Sequence, residues 1–157
     1  MDVMSTFERL TTDLPASMKA RTAFRTNTLR QMIGAVRVAQ KAGPFDVELT
    51  EEQVQAVLAA EVKKRRESAQ IYVDAGASER AETETAEADL IETYLPATLT
   101  AEQLESIVTE AIAATGATAM KDMGAVMKAA TAAALPIGRV DGKALSTRVR
   151  EALTATR

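Results

Sequence analysis

Twice in this chain a threonine is followed three residues later by a glutamine, just ahead of apolar residues at helical spacing. The two stretches are Thr50-Glu51-Glu52-Gln53 and Thr100-Ala101-Glu102-Gln103. In each, the threonine hydroxyl can accept from the backbone at the third helical position. The glutamine can return the bond to the threonine amide, which makes a capping box. Val54, Leu58, Val62, Ala69 and Tyr72 follow the first box near a heptad spacing. Leu104, Ile107, Val108, Ala111 and Ile112 follow the second, the clearest amphipathic stripe in the chain. No run of alternating β-branched residues and no hairpin dipeptide competes with these helix signals. The fold class this predicts is all-α.

The remaining helices follow from the same rules. Residues 4–19 predict a first helix, with Phe7, Leu10, Leu14 and Met18 inward. Pro15 is expected to kink or restart it, because an interior proline costs about 3 kcal/mol. Residues 22–42 predict a second, with Leu29, Met32, Ile33 and Val36 on its apolar face and Gly43-Pro44 as its stop. A loop is expected over 44–49. The third helix runs to about Asp74 and ends at Ala75-Gly76. Ser78 is expected to cap a fourth helix through Leu95, with Ala86, Leu90, Ile91 and Tyr94 inward and Pro96 as the stop.

Pro96-Ala97-Thr98-Leu99 is the expected boundary. Residues 1–96 would form an N-terminal bundle of about four helices, and residues 97–157 a small three-helix tail domain. In the tail, Gly116 ends the fifth helix. A sixth, 118–134, carries Met120, Met123, Val126, Met127 and Ala130. Those methionines suit core packing better than an adaptable binding face. Asp141 is expected to cap a seventh helix that buries Leu145, Val149 and Leu153. A unit of about 60 residues buries a modest share of its surface and is marginal alone.

Composition narrows the chemistry. The chain has neither cysteine nor histidine. That removes disulfides, thiolate and imidazole metal ligands, and any serine or cysteine nucleophile paired with histidine. No cofactor and no metal are expected, and nothing singles out a catalytic carboxylate or lysine. The start Met1-Asp2-Val3-Met4 does not read as a signal peptide. No stretch approaches the roughly 20 apolar residues of a membrane span. The expectation is a cytoplasmic protein with no membrane partner, one that binds rather than catalyses alone. The aromatics are Phe7, Phe24, Phe45, Tyr72 and Tyr94, too few for a base-stacking platform.

Charge is unevenly spread. Residues 1–96 hold 12 basic and 16 acidic groups, and residues 97–157 hold 7 and 6. The acidic total argues against indiscriminate nucleic-acid binding. Basic residues still cluster. Lys19, Arg21, Arg25, Arg30, Arg37 and Lys41 span a stretch without an acid. At about 100° per residue, Arg30, Arg37 and Lys41 share one side of their helix. They form either a phosphate-tracking stripe or a solvated face neutralised by the acidic fourth helix. Lys63-Lys64-Arg65-Arg66 wraps around the third helix, and Glu61–Arg65 and Lys63–Glu67 can support it as i, i+4 pairs. Gly138-Arg139-Val140-Asp141-Gly142 is a polar turn at a helix start. There Asp141 is either a simple cap, or Arg139 and Lys143 display charge beside free helix amides.

Taken together, these stretches resemble the GatB/YqeY family over nearly the full chain, in its stand-alone YqeY-like form. The residues that carry the likeness are Thr28-Leu29-Arg30, Glu61 through Ser68, Glu87, and Tyr94-Leu95-Pro96. Lys121-Asp122-Met123-Gly124-Ala125-Val126-Met127 and Gly138 through Gly142 complete it. The resemblance marks Tyr94, Pro96, Asp122, Gly124, Met127, Gly138, Asp141 and Gly142 as structural motif positions. It implies a tail similar to that of the B subunit of tRNA-dependent Asp/Glu amidotransferase. It also implies an association with glutamine-dependent tRNA amidation, a carbon–nitrogen ligase reaction with glutamine as amido donor, here without a catalytic centre of its own.

The expected function is therefore an accessory tRNA- or RNA-binding protein. The candidate contacts are Arg30, Arg37, Lys41, Lys63, Lys64, Arg65 and Arg66 in the bundle, and Lys121, Lys128, Arg139, Lys143 and Arg148 in the tail. The alternative is a protein–protein adaptor of the translation or amidotransferase machinery with no nucleic-acid role.

Overall fold

A computed structural model describes residues 3–44 and 47–155 of the chain. The start at Met1-Asp2 and the centre of the 44–49 loop, Phe45 and Asp46, lie outside the described residues. Among the described residues there are seven α-helices and no strand. They are α1 (Thr6–Lys19), α2 (Ala23–Ala42), α3 (Glu51–Asp74), α4 (Ser78–Glu92), α5 (Ala101–Thr115), α6 (Met123–Ala134) and α7 (Gly142–Ala155). A 3-10 turn, Met120–Asp122, precedes α6. The all-helical class expected from the capping boxes is the class observed. The chain separates into two compact units, Met1–Leu95 and Pro96–Arg157.

The N-terminal unit is held by its helix starts. Thr50 and Gln53 form the predicted capping box at α3. Ser5 and Glu8 form another at α1 that the sequence reading passed over. The α1 start is also tied to the α3 start, because the Thr6 amide and hydroxyl both donate to the Glu51 carboxylate. Leu10, Leu29, Met32, Ile33, Val36, Val54, Leu58, Val62, Ala88 and Ile91 make the core, with Tyr94 and Leu95 closing one end.

Several local expectations needed correction or narrowing. Of the kink or restart expected at Pro15, the restart does not occur, and α1 continues to Lys19. The bond lost is the one to Thr11, and both residues are exposed, so water can serve that carbonyl. Met18 faces outward, half exposed. Ser78 is the first residue of α4 rather than its cap; Ala77 holds that place without a side-chain bond. Ala81, Ala88 and Ile91 form the buried face of α4, while Ala86 is exposed. Alanine carries so little hydrophobic signal that the inward row of α4 was underdetermined. The helix also ends at Glu92, and the chain reaches Pro96 through tight turns at Tyr94 and Leu95.

The C-terminal unit packs α5, α6 and α7 around Leu104, Ile107, Val108, Ala111, Val126, Ala130, Ala134, Leu145, Val149 and Leu153. Thr100 and Gln103 form the second predicted capping box. Gly116 ends α5 at φ 68°, a backbone that residues with a Cβ adopt at a cost. Met123 and Met127 pack against the core, whereas Met120 is exposed. One feature lay outside helix logic. The Arg139 amide donates to the Ala97 carbonyl at 3.0 Å, and the Leu99 amide donates to the Arg139 carbonyl at 2.9 Å. This two-bond clasp seats residues 97–99 beside the loop before α7.

Candidate functional site

The candidate residues are all basic side chains, so the site is built from how each cation is employed. The 63–66 run divides four ways. Arg65 occupies the core row of α3 between Val62 and Ala69, and its side chain is only 7% exposed. Its guanidinium donates to the Glu61 carboxylate at 2.5 Å, the Glu61 carbonyl at 3.2 Å and Glu87 on α4 at 3.0 Å, and also to Gln31 on α2. Arg65 therefore leaves the set of surface candidates, because three helices enclose it. Arg66 pairs with Asp89 at 2.9 Å and Glu92 at 3.2 Å on α4. Lys64 lies 3.5 Å from Glu61 with most of its side chain in solvent. Lys63 is exposed and makes no ion pair among the described residues.

The α2 stripe behaves differently. Arg30, Arg37 and Lys41 are exposed, and none forms an ion pair among the described residues. The acidic α4 was the alternative expected to neutralise them; three of its acids, Glu87, Asp89 and Glu92, pair with Arg65 and Arg66 on α3 instead. Arg30 contacts the Met18 sulfur at 3.7 Å. Along the helix axis the three cations span about 16 Å.

In the tail, Lys121, Lys128 and Lys143 are exposed without an ion pair among the described residues. Arg148 pairs with Glu105 at 3.2 Å. Arg139 donates to the Thr98 hydroxyl at 3.1 Å, beside its backbone role in the clasp. The tail motif positions have structural duties. Asp122 accepts from the Thr118 and Ala119 amides at 3.0 and 3.3 Å. The Thr118 bond is the main reason its carboxyl is held below the ordinary range, with the Ala119 bond and the Lys121 charge adding to it. Asp141 caps α7 by accepting from Lys143 at 3.0 Å, which is the cap reading of that turn. A Cβ on Gly138 would stand 2.6 Å from the Ala97 carbonyl oxygen, so the clasp requires glycine there. Gly124 and Gly142 have open space where a Cβ would sit.

One cluster was not foreseen. The Tyr94 hydroxyl donates to Asp13 on α1 and accepts from Arg25 on α2 at 2.9 Å. Arg25 also reaches Asp13 at 3.5 Å, and the Arg9 guanidinium lies 4.9 Å from the Tyr94 ring centre. Burial, then the bond to Asp13, push the Tyr94 phenol up to about 12. Sequence spacing carried no hint of it, because Asp13 and Arg25 stand 81 and 69 residues away.

Among the described residues no group of histidine, cysteine, aspartate or glutamate side chains could hold a metal ion. No described helix is long and apolar enough to cross a membrane. A family profile described as "Yqey-like protein" matches residues 7–153, nearly the whole chain. No curated protein matches it.

Proposed function

The chain belongs to the YqeY-like family, and from that premise we propose that it is an accessory protein that binds tRNA or another folded RNA in the service of glutamine-dependent tRNA amidation in the cytoplasm. The observation that carries this reading is the contrast between α2 and α3. The two arginines of the α3 run, Arg65 and Arg66, are taken up by Glu61, Glu87, Asp89 and Glu92, whereas Arg30, Arg37 and Lys41, like Lys63 on α3, stand exposed without an acidic partner among the described residues. A row of unpaired cations is repelled within itself, and an anionic backbone relieves that repulsion. Folded RNA is recognised through shape, phosphates and 2′-hydroxyls, which needs no aromatic platform. On the tail, Lys121, Lys128 and Lys143 are likewise exposed without an ion pair among the described residues. The chemistry of amidation itself belongs to other proteins in this reading.

The test is a titration of an unmodified tRNA transcript against the whole protein at several salt concentrations. If the three α2 cations each neutralise a phosphate, log affinity falls with log salt at a slope of about −2 to −3. Absence of binding at low salt ends the reading.

A further inference from the structure

Gly34 stands apart from the other described glycines in lying deep inside a helix. Gly43 and Gly116 follow helix ends, Gly76 and Gly138 lie between helices, and Gly124 and Gly142 belong to the first turns of α6 and α7. An interior glycine weakens a helix relative to alanine. Backbone conformation does not require it here, because Gly34 is not among the residues of positive φ. Packing does not require it either, because a Cβ at that position would meet nothing within 4 Å. Its position on the surface is distinctive. Arg30, Gly34, Arg37 and Lys41 stand at i, i+4, i+7 and i+11, within about 60° of one another around α2. The bare backbone therefore faces outward, inside the cationic row. No acid belongs to α2, and the Arg30 guanidinium inclines towards Met18 on α1 at 3.7 Å.

On the reading that the α2 row binds RNA, we propose that a ribose–phosphate strand rests against the backbone at Gly34, with phosphates on Arg30 and Arg37 and a ribose 2′-hydroxyl donating to the Arg30 carbonyl. Helical side chains lean towards the N-terminus, so a side chain at 34 would have covered the turn that carries that carbonyl. The helix ladder uses one lone pair of the oxygen and leaves the second for an outside donor. A ribose–phosphate strand brings anions and hydroxyl donors together, and DNA lacks the hydroxyl. A protein partner would find no apolar anchor in the row, and Val38 beside it is a single exposed hydrophobic side chain.

Two RNA hairpins of one sequence are the probes, one with natural riboses and one with 2′-fluoro riboses, which keep the phosphates and remove the donor. Each is titrated by anisotropy against the whole protein at low salt. The parent should bind the natural hairpin at least threefold more tightly. Gly34→Leu should weaken the natural hairpin at least tenfold and bind both probes alike. Gly34→Ala should weaken it less, yet melt a few degrees higher than the parent, since alanine favours the helix. A purely structural role for Gly34 would lower that melting temperature instead. Unchanged affinity in Gly34→Leu, equal binding of the two hairpins by the parent, or a lower melting temperature in Gly34→Ala would each overturn the contact at Gly34 while leaving RNA binding intact. A glutamate-rich peptide that binds as tightly as the hairpin, with the same dependence on Gly34, would make the occupant a protein and overturn it too. No binding of either hairpin by the parent ends the RNA reading, and the Gly34 contact with it.

Discussion

Arg65 on α3 donates through Nε to Glu87 on α4 at 3.0 Å, inside a row otherwise built of Val54, Leu58, Val62 and Ala69. Both side chains are largely withdrawn from solvent. Removing one member of such a pair leaves the other charge buried and costs about 3–5 kcal/mol. Arg65→Ala should lower stability by about that much in urea unfolding. Arg66→Ala removes two ion pairs whose members are 40% exposed or more, so it should cost under about 1 kcal/mol. Equal costs would mean that burial does not distinguish the two neighbours.

The Tyr94 phenol supplies an alkaline signature. In Tyr72→Phe, the sole remaining tyrosine should ionise in an ultraviolet titration near pH 12. Because the folded value is raised, its contribution to stability is complete below about pH 10 and fades as pH climbs towards 12. Tyr94→Phe removes bonds to Asp13 and Arg25 and should cost about 1–3 kcal/mol, since hydrogen bonds to charged groups are the stronger ones.

Glu51 supplies an acid signature. Partial burial alone would raise its carboxyl pKa, but the Thr6 hydroxyl and amide, helped by Gln55 and Arg9, outweigh burial and hold it below the ordinary 4.5. A depressed folded value stabilises above the unfolded value, and that stability is lost as pH falls through the folded one. Thermal melts of the parent should therefore drop below about pH 4.5 more steeply than those of Glu51→Gln. Parallel curves would contradict the Thr6 bonds.

Gly138→Ala should disturb the clasp between residues 97–99 and Arg139. Its Cβ would meet backbone rather than a yielding side chain, and forced backbone shifts cost about 1–3 kcal/mol. Hydrogen exchange is the sensitive readout, with the Leu99 and Arg139 amides losing protection first. Gly142→Ala, in open space, should leave those amides protected.

The RNA reading makes a residue-level prediction. Arg37→Ala should weaken tRNA binding at low salt and flatten the salt slope by about 1. Arg66→Ala should change that slope little, because its charge is already shared by Asp89 and Glu92. If Arg66→Ala proves the more damaging of the two, the contact lies on α3.

The helix starts were legible because a capping box is local: Thr50 with Gln53 and Thr100 with Gln103 each announce themselves within four residues. The buried rows of α2, α5 and α7 were legible because large aliphatic side chains mark them. The face of α4 was not, because alanines cannot declare which side is inward. The role of Arg65 was half visible. Glu61 four residues earlier foretold one bond, but the apolar row hid the fact that position 65 completes it. The cluster of Asp13, Arg25 and Tyr94 depends on the meeting of α1, α2 and the turn after α4, and no pattern along the chain encodes that meeting.

The guanidinium of Arg65 also sets how α4 may slide along α3. The face that α4 offers is mostly alanine, and Ala81 and Ala88 are nearly interchangeable as surfaces. A slip of seven residues, the one that exchanges those two alanines, would bring Arg80 or Tyr94 opposite Arg65 in place of Glu87, stranding a charge in a dry place. An aliphatic residue at 65 would grip as firmly yet tolerate the slip. The buried arginine works as a detent, holding the hairpin at one setting where smooth packing would allow several.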